Sequence, residues 1–256
     1  MKKYLKLTVL FICLSGNRLF AQKTQVLLLP TIHDAHKTNT KYSFQDLLKI
    51  IENFKPDLIA IEIRPEDMHQ HDTVYLKTFY RPDMILVKDK FPAIPKVGID
   101  FLGNDVVGKT LPLNYRRDTT TENGKANLIN RAIKMDPDFM SAYNSSGIAE
   151  LESKRLALIA SASAQELIDG PFDSYSNLMA AKLDSLRALN PKYAQFQISS
   201  SYRDHRLADN VKEVILKNPG KRIIVLSGVN HHGLYVQVMS KSKMTAVNFI
   251  TRVNDR

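Results

Sequence analysis

The stretch VLLLPTIHDAH, residues 26–36, decides how this chain is read. Residues 26–29 form an unbroken apolar run, which suits a short strand buried on both faces. Pro30 is expected to end that strand, because proline has no N–H to give to a ladder. Thr31, His33, Asp34 and His36 follow at once. Open α/β sheets place their sites where polar groups gather at the C-terminal end of a buried strand. Taken alone, the stretch fits a solvated loop with two ordinary histidines equally well.

A second stretch of the same design breaks that tie. In RIIVLSGVNHHG, residues 222–233, a buried strand again meets a tight turn and then a histidine. His33 lies three residues past Pro30, and His231 three past Gly228. Gly228 permits a turn conformation that other residues resist. It places His231 at or near a helix N-terminus, where backbone N–H groups attract anions.

Between the two turns the pattern is strand, helix, strand. Ser43 can cap a helix, with Asp46 three residues on favouring the N-terminal dipole. Phe44, Leu47, Leu48, Ile51 and Phe54 fall at helical spacing, and Pro56 stops the run. Residues 57–63, DLIAIEI, read as a second strand, parallel to the first. Glu62 interrupts an apolar run covered on both faces, so it is expected at the C-terminal edge. Arg64 beside it could pair with a ligand or a carboxylate. His69 and His71 lie in a polar loop and are expected to face water.

Residues 96–102 read as a third strand with Asp100 near its end, 222–227 as a fourth, and 246–250 as an edge strand. Residues from about 119 to 190 are mostly helical, over 126–134, 141–164 and 174–189. They are read as a helical insertion covering one side of the sheet. Residues 200–217 predict a further helix, with Leu207, Val211, Val214 and Ile215 as its apolar stripe. Arg203, His205, Arg206 and Asn210 are its polar groups. Residues 234–239 continue from the second turn as a short helix. The fold class is therefore α/β: a mainly parallel central sheet flanked by helices, with a helical insertion.

Bulk properties narrow the function. A chain of 256 residues, 44% hydrophobic and 24% charged, is an ordinary globular protein. The single cysteine, Cys13, excludes an internal disulfide and a cysteine-based zinc site. Any metal would use histidine and carboxylate ligands. Residues 1–21 carry Lys2, Lys3 and Lys6 before a short apolar core and end Leu19-Phe20-Ala21. They read as a signal peptide cleaved near Ala21, leaving one domain over 22–256 outside the cytoplasm, periplasmic or secreted. Leu10, Phe11 and Ile12 precede Cys13, which is not the pattern of a lipoprotein signal. No later run suggests a transmembrane segment. Removing Lys2, Lys3, Lys6 and Arg18 lowers the net charge from +10 to +6. That charge is spread along the chain without a basic, aromatic-interleaved patch, so nucleic acid is not the expected partner.

Four short blocks together resemble a known family. PTIH at 30–33, AIEI around Glu62, YRDHRLADN around Arg203 and GVNH at 228–231 are similar in order and separation to the TraB/PrgY/GumN group. That group is related to Tiki-like metallopeptidases and to the erythromycin esterase/ChaN-like fold. Three positions depart from its pattern: Pro30 stands where the family has glycine, Asp204 where many members have Asn, and His232 where an apolar residue is usual. The resemblance implies peptide hydrolysis, ester hydrolysis or haem binding on one fold.

The residues themselves support hydrolysis of a peptide or ester bond in a small-molecule or peptide substrate. His33, Glu62 and His231 could hold a divalent metal ion that activates water. Without a metal, Glu62 or His33 could act as general base, with Arg203 stabilising the oxyanion. No Gly-x-Ser-x-Gly elbow is present. The catalytic set is then His33, Glu62, Arg203 and His231. The alternative is a protein that binds haem or a small anion without catalysis. There His33, His36 or a tyrosine could ligate iron and Arg203 could meet a propionate. His36 and Asn210 are the cofactor-side candidates. A third reading is an enzyme-like fold that serves as an interaction protein.

Overall fold

The computed structural model describes residues 22–242 and 244–253; the expected signal peptide, with Cys13 and Ala21, lies outside them. Five strands pair in parallel throughout: β1 (Thr24–Thr31), β2 (Leu58–Ile61), β3 (Lys96–Gly98), β4 (Arg222–Gly228) and β5 (Val247–Ile250). Their spatial order is β3-β2-β4-β1-β5. The strands that carry the two histidine turns are therefore neighbours at the centre. Leu29 pairs Leu226, and Thr31 pairs Gly228. Both chains leave the sheet at the same level.

The helices in chain order are α1 (Phe44–Phe54), α2 (Thr73–Phe79), α3 (Pro82–Lys90), α4 (Glu122–Met135), α5 (Pro137–Ser145), α6 (Ile148–Ser161), α7 (Ala164–Asp169), α8 (Phe172–Ala188), α9 (Pro191–Leu216) and α10 (His232–Lys241). None among the described residues is long and apolar enough to cross a membrane. Strand alternation divides the core into two layers. Leu27, Leu29, Ile59, Ile61, Ile224 and Leu226 pack with residues of α1, α3 and α7, among them Leu47, Met84 and Leu167. Val26, Leu28, Leu58, Ala60, Ile223 and Val225 pack against Leu207, Val211 and Ile215 of α9 and Tyr235 and Met239 of α10. Each fully buried Leu or Ile contributes roughly 1.5–3 kcal/mol, so this two-sided burial holds the sheet edge rigid. α1 starts at the expected cap: Ser43 and Asp46 form a reciprocal capping box.

Several boundaries differ from the sequence reading. β1 runs through Pro30 instead of ending there. Thr24 N–H donates to Ala246 O on the β5 side, and Gln25 N–H to Lys221 O on the β4 side. Alternation therefore turns Pro30 towards β5, whose pairing stops at Leu27. The missing N–H deprives no partner, and the Pro30 carbonyl accepts the Tyr42 hydroxyl at 2.8 Å. The 141–164 helix is split at Gly147, which takes φ +76°. The helix expected from 200 begins at Pro191, capped by Asn190. β3 stops at Gly98, where a Cβ would lie 2.5 Å from Ile63 O. The chain stays beside β2, with Asp100 N–H donating to Ile63 O at 3.1 Å, and so carries Asp100 to the sheet edge.

Candidate active site

Glu62 follows β2 in the Leu58–Ala60 row, so its side chain faces α9 and α10. Its Oε2 accepts the Gly228 N–H at 2.7 Å, which ties it to the second turn. Its Oε1 faces two cations, Arg203 Nη2 at 3.5 Å and His231 Nε2 at 3.4 Å. Arg203 also donates from Nη2 to Asp100 Oδ1 at 2.7 Å and from Nε to Phe101 O at 3.0 Å. His231 Nδ1 lies 3.5 Å from Asp204 Oδ1, and its ring stacks on Tyr235. The Tyr235 hydroxyl is buried beside Ser227 without a hydrogen bond of ordinary geometry. Glu62, Arg203, His231 and Asp100 thus form one network, drawn from β2, α9, the second turn and the exit of β3.

The network fixes its own charges. Burial alone would raise the Glu62 pKa, but His231, Arg203 and the Gly228 N–H outweigh it and draw it down to about 2. Burial likewise opposes a charge on His231, yet Asp204 and Glu62 raise its pKa to about 9 against the repulsion of Arg203. Burial raises the Asp100 carboxyl, and Arg203 pulls it back. At neutral pH, Glu62 is an anion and His231 a cation.

His33 completes the group from the other side. It takes a left-handed backbone, φ +54°, which few non-glycine residues adopt and which tends to mark functional positions. The turn aims its ring at Asp83, at the start of α3 and fully buried. His33 Nδ1 lies 3.0 Å from Asp83 Oδ2, and the Thr31 hydroxyl donates to the same oxygen. With Nδ1–H facing a carboxylate, Nε2 is left as the lone-pair nitrogen. That nitrogen lies against the second turn: a Cβ on Gly228 would sit 2.7 Å from His33 Nε2 and 3.6 Å from Glu62 Oε2. The four residues read from the sequence therefore border one point at the C-terminal edge of the sheet. The His33 side chain is 30% exposed and Arg203 29%, so the point is reachable from solvent.

The cofactor-side candidates lie elsewhere. His36 is buried, donates from Nδ1 to Tyr42 O at 2.7 Å and accepts the Ile32 N–H on Nε2 at 3.3 Å. Both ring nitrogens are used, and burial lowers its pKa. Asn210 donates to Ile99 O at 2.9 Å, clamping α9 to the chain just before Asp100. His69 and His71 are exposed in their loop. Arg64, adjacent to Glu62, turns away to Asp67, Val106 O and Lys109 O.

Asp83 has no signal in the sequence reading, because Arg-Pro-Asp at a helix start looks like ordinary capping chemistry. Two further residues were equally silent. Arg155 of α6 donates to Asn230 Oδ1 in the second turn, and Asp173 Oδ2 of α8 meets His232 Nδ1 at 2.8 Å. The helical insertion thus grips the His231 turn on both sides.

A divalent ion on His33, Glu62 and His231 would stand against the Arg203 guanidinium, which lies 3.5 Å from both His231 Nε2 and Glu62 Oε1. Comparison with known proteins finds no matching family model, curated protein or solved structure.

Proposed function

We propose that this chain is an exported hydrolase of ester or peptide bonds that works by acid–base chemistry at the sheet edge. The observation that carries the reading is the buried Asp83 carboxylate on His33 Nδ1. An imidazole held this way takes a proton on Nε2 and keeps its orientation while doing so. His33 removes a proton from water, and the resulting hydroxide attacks the carbonyl carbon. The oxyanion that forms meets Arg203 and the protonated His231, two cations already in place. His231 returns a proton to the leaving oxygen or nitrogen, and His33 then reloads it through water. Glu62 takes no proton in this scheme; it holds Arg203 and His231 in position. The resemblance of the four sequence blocks to the TraB/PrgY/GumN group supports hydrolysis, although the route proposed here is metal-free.

The test is a panel of 4-nitrophenyl esters and internally quenched peptides with the protein lacking residues 1–21. Asp83→Asn keeps the volume but offers His33 the wrong partner. It should lower kcat by roughly 10³–10⁴-fold, as loss of the orienting carboxylate does in serine hydrolases. EDTA should leave the rate unchanged. Loss of activity in EDTA that a divalent ion restores would replace this route with a metal-dependent one. No turnover of any member of the panel would end the hydrolase reading.

A further inference from the structure

A cleft of about 780 Å³ is lined by chain neighbours of His33 and Asp83: Asp34 after His33, and Arg81 and Pro82 before Asp83. Four cationic side chains line it, Lys37, Lys77, Arg81 and Lys90, against two acids. Both acids are engaged: Asp34 pairs Lys37 at 2.6 Å, and Asp89 lies 3.7 Å from Lys88. Among the described residues the Arg81 guanidinium makes no hydrogen bond or salt bridge; Asp34 is the acid that feels its charge. A fifth cation adjoins the wall. Arg116 donates from Nη2 to Phe79 O at 2.8 Å, two residues from Arg81. Partial burial and then the charge of Arg81 depress the Arg116 pKa, with Arg203 adding to the effect. Positive charge therefore runs from the cleft towards Arg203. Ile85 and Leu86 give the same cleft an apolar wall.

Arginines that repel one another and face no carboxylate partner are stabilised by an anion, and guanidinium forks match carboxylate and phosphate. We propose that this cleft binds the anionic end of the substrate, so that the hydrolysed acyl group carries a terminal carboxylate or phosphate on a short apolar stem. The proposal rests on the hydrolase reading for its direction: the stem lies on Ile85 and Leu86, the anion on Arg81 and Arg116, and the scissile carbonyl at His33. Neutral acyl groups of equal length lose the arginine contacts but keep the apolar wall.

The experiment compares 4-nitrophenyl hemisuccinate with 4-nitrophenyl butyrate on wild type, Arg81→Gln and Arg81→Gln/Arg116→Gln. Wild type should prefer the hemisuccinate by about tenfold or more in kcat/KM, the size of a charge-assisted contact. The double variant should lose that preference while its butyrate rate stays within about twofold, since neither arginine touches the reacting atoms. Absence of preference in wild type, or its persistence in the double variant, overturns the proposal. Calorimetric titration with free succinate and with inorganic phosphate separates this from the hydrolase reading. Binding to wild type that Arg81→Gln abolishes supports the anion site even if neither ester is cleaved, and the stronger of the two ligands identifies the anion. Failure of both to bind overturns it whatever the hydrolysis result.

Discussion

The two histidine turns leave neighbouring strands at one level and are written almost alike in sequence, yet they end among different charged partners. His33 faces one buried carboxylate, Asp83, which fixes its tautomer and leaves Nε2 open. His231 sits between Glu62 and Asp204 beside Arg203, and that surrounding charge keeps it protonated. The supports differ too. The first turn is held by β1, whose Pro30 accepts Tyr42, and by a strained His33 backbone. The second is held by Arg155 and Asp173 from the helical insertion. A strand–turn–histidine unit therefore supplies a place for an imidazole and says nothing of its charge. The charge comes from the carboxylates that the rest of the chain delivers.

The point where the turns touch is the most sensitive place to break this pairing. Gly228→Ala puts a methyl group 2.7 Å from His33 Nε2, too close for both to stay in place, and 3.6 Å from Glu62 Oε2. Displacing a base by about 1 Å costs on the order of 100-fold, so kcat should fall by at least about that much. Circular dichroism should show the fold intact. Full activity in Gly228→Ala would mean that the two turns do not work together.

A pH series separates the two histidines. The His231 pKa is raised from 6.5 to about 9, so its contribution to stability is complete below about pH 6.5 and lost as pH rises through 9. The size is roughly 3 kcal/mol, for a side chain that is mostly buried. Glu62, lowered from 4.5 to about 2, contributes above pH 4.5 and loses that contribution as pH falls through 2. The gap in thermal midpoint between wild type and His231→Gln should be widest between pH 5 and 6.5 and close above pH 9. A gap that does not change with pH would show that His231 is neutral and that the contrast with His33 is wrong.

The smallest effect concerns the grip of the helical insertion on the second turn. Arg155→Ala frees Asn230 but leaves His231 and its carboxylates in place. Activity should drop by a factor of about 3–10 through kcat with KM nearly unchanged, as a positioning residue does. His33-side properties, such as the effect of Asp83→Asn, should be unaltered. A loss as large as that of Asp83→Asn would make the insertion part of the reacting site.

Much of this arrangement was legible in the chain, and the reason is local. Apolar runs of strand length, their parallel connection, the Ser43–Asp46 cap and the exit of Glu62, His33 and His231 at one edge all follow from patterns a few residues long. Parallel strands put every such exit on the same side, so short motifs far apart in sequence could be placed together. Asp100, read as lying near the end of the third strand, enters the network through Arg203.

What only the tertiary structure decided are the partners, because a carboxylate carries no mark of the cation it will meet. Asp83 approaches His33 from 50 positions away on a helix with no clear periodicity. Asp173 and Arg155 come from the insertion, and Arg116 reaches the Arg81 corner from a loop. Pro30 shows the same limit in the backbone: its missing N–H matters only if a strand faces it, and the end of β5 removes that strand. Sequence determined where each polar group leaves the sheet; packing over long separations determined which groups it faces, and with that its protonation state and orientation.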